Sequence, residues 1–93
     1  MFDKYEGFIW DRGNSTKNLV KHNITCQESE EVFSDENQTI VNDENHSQAE
    51  KRILIVGKTL GGKLLSVIFT VRNSSIRVIS ARIASKKEKK IYE

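Results

Sequence analysis

The sequence predicts an α+β fold in which helices pack on an antiparallel sheet. Its 93 residues, 37% of them hydrophobic, can bury one small core but not several. The second half alternates apolar and polar residues with the period of β-strands, whereas the first half contains helix-capping residues. We therefore expect residues 1–93 to form a single domain with the element order β-α-α-β-β-β-β-α.

The first half is predicted to contain one strand and two helices. Aromatic and β-branched side chains at residues 5–10 favour a short strand, which a D-R-G turn closes. Residues 15–22 have N-capping residues followed by a short apolar stripe, which favours a helix of about two turns. Thr25 and Glu28 have the spacing of a capping box, so a second helix should run to about Phe33.

The second half is predicted to contain four strands and a terminal helix. Residues 39–41 form a short edge strand, and residues 52–59 and 64–72 are strands joined by a tight turn at Gly61-Gly62. The last strand covers residues 76–83, and Ser85 caps a helix through Lys90. Strict alternation places Arg82 of this strand on the side of Ile76, Val78 and Ser80, and Arg77 on the opposite side with Ile79 and Ala81.

Charge divides the chain into an acidic and a basic half. Residues 1–50 hold four basic and eleven acidic side chains, and residues 51–93 hold eleven basic and two acidic ones, which leaves a net charge of +2. Such a split allows one surface to attract a polyanion, although the same residues could equally be a solubilising mixture. The sequence contains no apolar run long enough for a membrane span or a signal peptide, so we expect a cytoplasmic protein without membrane contact.

Several classes of chemistry are not indicated. The chain lacks a phosphate-binding loop, a dinucleotide fingerprint and a nucleophile elbow, so we expect no cofactor. Its one cysteine cannot form an internal disulfide. His46 and Glu50 lie four residues apart, but two ligands make a poor zinc site without a third, and we expect no metal.

Arginines at predicted sheet positions are the main chemical signal. Arg72, Arg77 and Arg82 lie in the last two strands, and Arg52 begins an earlier one. A guanidinium suits phosphate better than an ammonium does, so this pattern favours a phosphate-binding surface. The alternative is that each arginine pairs with a carboxylate of residues 28–50. Lys21 and His22 add a cation and a titrating group, which at a helix end can equally form a C-terminal cap.

Six segments in this order resemble the BrnT family of toxins from bacterial type II toxin–antitoxin modules. They are F-I-W-D at 8–11, K-N-L-V-K-H at 17–22, V-F-S-D at 32–35, H-S-Q-A-E-K-R at 46–52, G-K-T-L-G-G-K-L-L-S-V-I-F-T at 57–70 and R-V-I-S-A-R-I-A-S-K-K-E at 77–88. The resemblance implies a RelE-like fold and a ribonuclease that inhibits translation and growth. It also implies a BrnA-like ribbon-helix-helix antitoxin in a heterotetramer of two toxins and two antitoxins, which binds operator DNA through the antitoxin.

The family pattern is matched at ten positions of this sequence, namely Asp11, Asn18, Lys21, His22, His46, Glu50, Arg52, Arg72, Arg82 and Glu88. Two positions depart from it, because Asn14 stands where the family often has lysine and Asn23 where a glycine is usual. The first departure removes one cationic contact, and the second only requires a conformation that asparagine tolerates.

The residues and the resemblance lead to one hypothesis, metal-independent endoribonuclease chemistry. We expect Arg72 and Arg82 to surround the scissile phosphate with support from Arg52 and Lys21. His22 or Glu50 would act as acid or base. Further RNA phosphates would be bound by a second group of basic residues, Arg52, Arg77, Lys86 and Lys87. Two alternatives remain, a non-catalytic RNA- or protein-binding domain and a degenerate toxin that retains only antitoxin binding.

Overall fold

The computed structural model describes residues 5–11, 13–14, 23–42 and 51–92. They form five strands and two helices in an α+β arrangement, as predicted. The elements are β1 (Phe8–Ile9), α1 (Cys26–Val32), β2 (Thr39–Asn42), β3 (Ile53–Lys58), β4 (Leu64–Arg72), β5 (Ser75–Ile83) and α2 (Lys86–Tyr92). The helix predicted at residues 15–22 lies outside the described residues.

The sheet is mixed, whereas the sequence predicts a wholly antiparallel one. Its strand order is β1-β5-β4-β3-β2, and β2 to β5 form an antiparallel meander. β1 pairs in parallel with β5, where Ile76 N–H donates to the Gly7 carbonyl at 2.8 Å. Short turns force neighbouring strands of a meander to run in opposite directions, but no such turn joins β1 to β5. The alternation in the sequence therefore could not fix the direction of β1.

Helix α1 begins with the predicted capping box. Thr25 Oγ1 accepts from Glu28 N–H at 3.0 Å, and Glu28 Oε1 accepts from Thr25 N–H at 3.0 Å. The helix and the Phe33 that follows it lie against the inner sides of β3 and β4. Phe33 makes edge-to-face contacts with Phe8 and Phe69 at centroid distances of 5.2 and 4.9 Å. These rings join β1, α1 and β4 in one core.

A bulge in β5 reverses the predicted orientation of its first half. Ser66 of β4 lies opposite Arg82, and Thr70 lies opposite Arg77, so the register shifts between them. The shift leaves one extra residue in β5 and changes which residues share a face. Ile76, Val78 and Ala81 are all buried in the core. Arg77 and Arg82 consequently lie together on the other face, and the prediction that they point to opposite sides is wrong.

Candidate nucleic-acid interface

The sheet face opposite α1 carries the arginines that the sequence singled out. Arg77 and Arg82 of β5 lie on it, and Arg72 of β4 joins them because it alternates with Ser66 and Thr70. Arg52 immediately precedes β3, and the alternation of that strand continues onto the same face. We call this surface, defined by Arg52, Arg72, Arg77 and Arg82, the arginine face.

The four arginines form two groups at opposite ends of this face. Arg52, Arg72 and Arg77 lie at the end where β4 turns into β5. Arg82 lies opposite Ser66, which is six residues before Arg72 on β4, or about 20 Å at 3.3 Å per residue. The structure therefore does not bring Arg72 and Arg82 together at a single phosphate. An RNA strand along the face would instead meet them at different phosphates.

Arg82 is held by Glu88 of α2 through two parallel hydrogen bonds. Its Nη1 and Nη2 donate to Glu88 Oε1 and Oε2, each at 2.7 Å. The Arg82 side chain is 39% exposed, whereas that of Glu88 is only 11% exposed. A guanidinium has five N–H donors, so this fork leaves donors over for a ligand. Glu88 thus fixes the direction of a cation that solvent can still reach.

Glu88 also caps the helix on which it lies. Ser85 N–H donates to Glu88 Oε1 at 2.8 Å, and Ser85 Oγ accepts from Glu88 N–H at 3.2 Å. The hydrogen bonds from Arg82 are the main reason that the pKa of Glu88 falls from 4.5 to about 2, despite partial burial. The same bonds raise the pKa of Arg82. The spacing S-K-K-E at 85–88 is a second capping box, which sequence analysis could have recognised.

At the other end of the face, Arg77 is bound by Asp11. Arg77 Nη1 and Nη2 donate to the two carboxylate oxygens at 2.7 and 3.2 Å, which lowers the pKa of Asp11. Gly13 N–H also donates to Asp11 Oδ1 at 2.8 Å. A Cβ at Gly13 would lie 3.1 Å from both Arg77 Nη2 and Asp11 Oδ1. The absence of a side chain at Gly13 therefore leaves room for this ion pair.

Asn14 holds the backbone on both sides of the Asp11–Arg77 ion pair. It is 2% exposed, and its Nδ2 donates to Ile9 O at 2.9 Å and to Val78 O at 2.8 Å. Its Oδ1 accepts from Asp11 N–H at 2.8 Å. One amide thus ties the end of β1 to β5 and holds the backbone of Asp11. Sequence analysis treated Asn14 as a missing lysine, although a buried asparagine with three bonds is a structural anchor.

The remaining predicted site residues fall into two sets. Lys86 and Lys87 lie on the first turn of α2, exposed and close in sequence to Arg82. Lys21, His22 and Glu50 lie outside the described residues, as do Asn18 and His46. Arg77 pairs with Asp11 and Arg82 pairs with Glu88. The alternative that the arginines pair with carboxylates of residues 28–50 therefore does not account for these two.

The arrangement is suited to binding a polyanion. Arg77 and Arg82 are each oriented by a carboxylate, and the fork of a guanidinium matches phosphate oxygens. Within the described ranges, no three histidine, cysteine or acidic side chains are grouped as metal ligands. No helix in the same ranges is long and apolar enough to cross a membrane.

Comparison with known proteins identifies a family and a similar solved structure. Residues 10–88 match the model of the family described as ribonuclease toxin, BrnT, of type II toxin–antitoxin system. The fold is similar to the crystal structure of the Brucella abortus ribonuclease toxin BrnT, with a TM-score of 0.63 and 25% sequence identity. That match covers 86% of this chain and 97% of the Brucella chain. No curated protein matches the chain.

Proposed function

The chain belongs to the BrnT family of ribonuclease toxins of type II toxin–antitoxin systems, and on that premise we propose that its arginine face binds and cleaves RNA. The observation that carries the proposal is the bulge in β5, which turns Arg77 and Arg82 to one face. Family membership and this geometry are independent, because the first comes from sequence similarity and the second from strand register.

RNA would lie along the arginine face in an extended form. Arg77 and Arg72 lie about 13 and 20 Å along β4 from the position of Arg82, so the two groups would contact non-adjacent phosphates of one strand. Arg82 is the residue that we place at the scissile phosphate, because Glu88 holds its guanidinium in a fixed direction. Arg52, Arg72 and Arg77 would bind flanking phosphates, with Lys86 and Lys87 beside Arg82.

The cleavage step needs three groups and no metal. A base removes the 2′-hydroxyl proton, the resulting oxygen attacks phosphorus, and an acid protonates the leaving 5′-oxygen to give a 2′,3′-cyclic phosphate. Arg82 would stabilise the charge that develops on the phosphorane oxygens. Glu88, with a pKa of about 2, is too weak a base for the proton transfer. We therefore assign acid and base chemistry to His22 or Glu50, with Lys21 as a supporting cation.

The test compares substitutions at Arg82 that separate folding from chemistry. Arg82→Ala alone would leave the Glu88 carboxylate partly buried without its cation, which can destabilise the protein by about 1–3 kcal/mol. Arg82→Gln combined with Glu88→Gln removes both charges and avoids that penalty. We expect this double variant to stay folded and to cleave RNA about 100- to 1000-fold more slowly, the usual effect of losing one such donor.

Glu88→Gln alone is the matched control, because it keeps the Arg82 cation but loses the charged bonds that orient it and the stability that they contribute. We expect it to retain more activity than the double variant. Full activity in a folded double variant would contradict the role of Arg82.

The ends of the RNA fragments distinguish a ribonuclease from a non-catalytic RNA-binding domain. Purified protein incubated with RNA and a metal chelator should yield fragments ending in 2′,3′-cyclic phosphate. Binding without such ends would favour the RNA-binding module, and expression without growth arrest would favour the degenerate toxin.

We further propose a RelE-like fold and a BrnA-like antitoxin as the partner of this chain. Membership of a type II system implies an antitoxin, and the meander of β2 to β5 supports the RelE-like assignment. A ribbon-helix-helix dimer would bind two toxin chains and attach the complex to operator DNA, while free toxin in the cytoplasm would inhibit translation. A neighbouring gene for such a protein, and its co-purification in a two-to-two ratio, would test this.

A further inference from the structure

A cleft at the C-terminal end of α2 is not used by the mechanism above. It lies between the end of β3, the helix and the turn after α1, and has a volume of about 560 Å³. Its lining comes from the turn after α1 and from β3, β4 and α2, through Asn37, Lys58, Leu64, Lys89 and Tyr92. Pockets of 300–1,000 Å³ are the usual size for small ligands, so this cleft can accept a nucleotide.

The aromatic ring in this cleft is fixed in place. Tyr92 Oη donates to Asp35 Oδ2 at 2.7 Å, and Lys58 N–H donates to the same oxygen at 2.8 Å. The tip of the ring is therefore tied to the backbone of β3 through one carboxylate. A ring that is already immobilised loses little conformational entropy when a base stacks on it.

The Asp35 carboxylate that holds the ring accepts three hydrogen bonds. Asp35 Oδ1 accepts from Asn37 N–H at 3.0 Å, in addition to the two bonds to Oδ2. Burial by itself would raise the pKa of Asp35, but these hydrogen bonds together lower it. Its charge is thus distributed over three donors, which weakens its repulsion of an anion in the cleft.

Two exposed lysines line the cleft together with the ring. Lys58 Nζ lies over the Tyr92 ring, 5.8 Å from its centroid. Lys89 precedes Tyr92 by three residues on α2, which places both side chains on one side of the helix. A base on the ring would have a phosphate within reach of these flexible cations.

We propose that this cleft is a subsite for one nucleotide of the RNA, with its base stacked on Tyr92 and a phosphate bound by Lys58 and Lys89. The inference rests on the proposed ribonuclease function. Lys58 of β3 lies opposite Leu64 of β4, and Arg82 of β5 lies opposite a β4 position two residues further along. Lys58 and Arg82 are therefore two strands and two residues apart in the sheet. The cleft backbone is therefore about 12 Å from Arg82, a span that a short single strand can cover.

Photocrosslinking of the wild-type protein tests the location directly. The probe is a 2′-deoxy oligonucleotide with one 2′-deoxy-4-thiouridine, which cannot be cleaved because it has no 2′-hydroxyl. Moving the thiouridine along the probe should give one position that crosslinks to a peptide containing Tyr92 or Lys58. Crosslinks confined to other peptides at every position would overturn the subsite.

Variants test the chemistry of the contact. Tyr92→Leu should weaken binding of the oligonucleotide about tenfold, whereas Tyr92→Phe, which keeps the ring, should bind more tightly than Tyr92→Leu. Lys89→Gln should lower the salt dependence of binding by about one phosphate contact. Lys63→Gln is the matched control, since Lys63 pairs with Glu28 at 2.8 Å and lies outside the cleft lining. Unchanged affinity in folded Tyr92→Leu would refute stacking.

Cleavage of a dinucleotide separates this inference from the proposed function. Such a substrate spans only the scissile bond, so Tyr92→Leu should slow its cleavage much less than it slows the cleavage of longer RNA. If the wild type cleaves neither the dinucleotide nor a longer RNA, the proposed function fails. If longer RNA and the dinucleotide respond identically to Tyr92→Leu, the subsite fails while the nuclease stands.

Discussion

Acid should weaken this fold through Glu88, and the size of the effect follows from its bonds to Arg82. The pKa of Glu88 is lowered from 4.5 to about 2, mainly by the two 2.7 Å hydrogen bonds from Arg82. At 1.36 kcal/mol per pKa unit, that difference corresponds to about 3 kcal/mol. The Glu88 side chain is only 11% exposed, but that of its partner Arg82 is 39% exposed, so solvent screening reduces this value to about 2 kcal/mol.

The sign follows from a folded-state pKa that is lower than the unfolded one. The stability that Glu88 contributes is fully present above pH 4.5 and is lost as the pH falls towards 2. Glu88→Gln cannot titrate, so the variant should lack this part of the pH dependence. At pH 7 we expect wild type to exceed Glu88→Gln by about 2 kcal/mol in free energy of unfolding.

Urea unfolding at pH 7 and at pH 3 measures both quantities. Asp11, Glu28 and Asp35 also have lowered pKa values, so both proteins should lose stability in acid. The informative quantity is the difference in free energy of unfolding between wild type and Glu88→Gln, which should be markedly smaller at pH 3 than at pH 7. Glu36→Gln, at an exposed position, is the control for removing one carboxylate. A gap of the same size at both pH values would refute the reasoning.

Four further substitutions test the parts that hold the site. Asn14→Ala should destabilise by about 2–4 kcal/mol in thermal unfolding, because it leaves the Ile9 and Val78 carbonyls without this donor. Gly57→Ala should cost about 1–3 kcal/mol in urea unfolding, since its Cβ would lie 2.9 Å from Val32 Cγ1. Thr25→Ala should cost about 1 kcal/mol, measured as a lower unfolding midpoint, through loss of the α1 cap. Asp11→Asn removes an exposed partner of Arg77, and the salt dependence of oligonucleotide binding should steepen while the melting temperature changes less than in Asn14→Ala.

Local signals predicted most of the elements. The capping box at Thr25 and the alternation of β4 depend on neighbours within a few residues, and both agree with the structure. β5 was correctly located but wrongly oriented, because a bulge depends on the partner strand and has no fixed residue pattern. The parallel pairing of β1 likewise depends on contacts between residues more than sixty positions apart.

The candidate site was predicted in part for the same reason. Arginines at strand positions indicated a basic surface, and the structure places Arg72, Arg77 and Arg82 on one face. Their spacing along the face depends on strand register, which no local pattern reveals. The carboxylates that orient Arg77 and Arg82, which are Asp11 and Glu88, are assigned only once the strands and α2 are placed.

The most direct measurement of the central claim is an NMR titration of the arginine side chains with RNA. A 2′-deoxy oligonucleotide that cannot be cleaved would be added to the toxin labelled with ¹⁵N at arginine. Our account predicts that the Nε–H signals of Arg82, Arg77 and Arg72 shift together, and that added salt reverses the shifts. Tight binding of the oligonucleotide with none of these signals moving would contradict it.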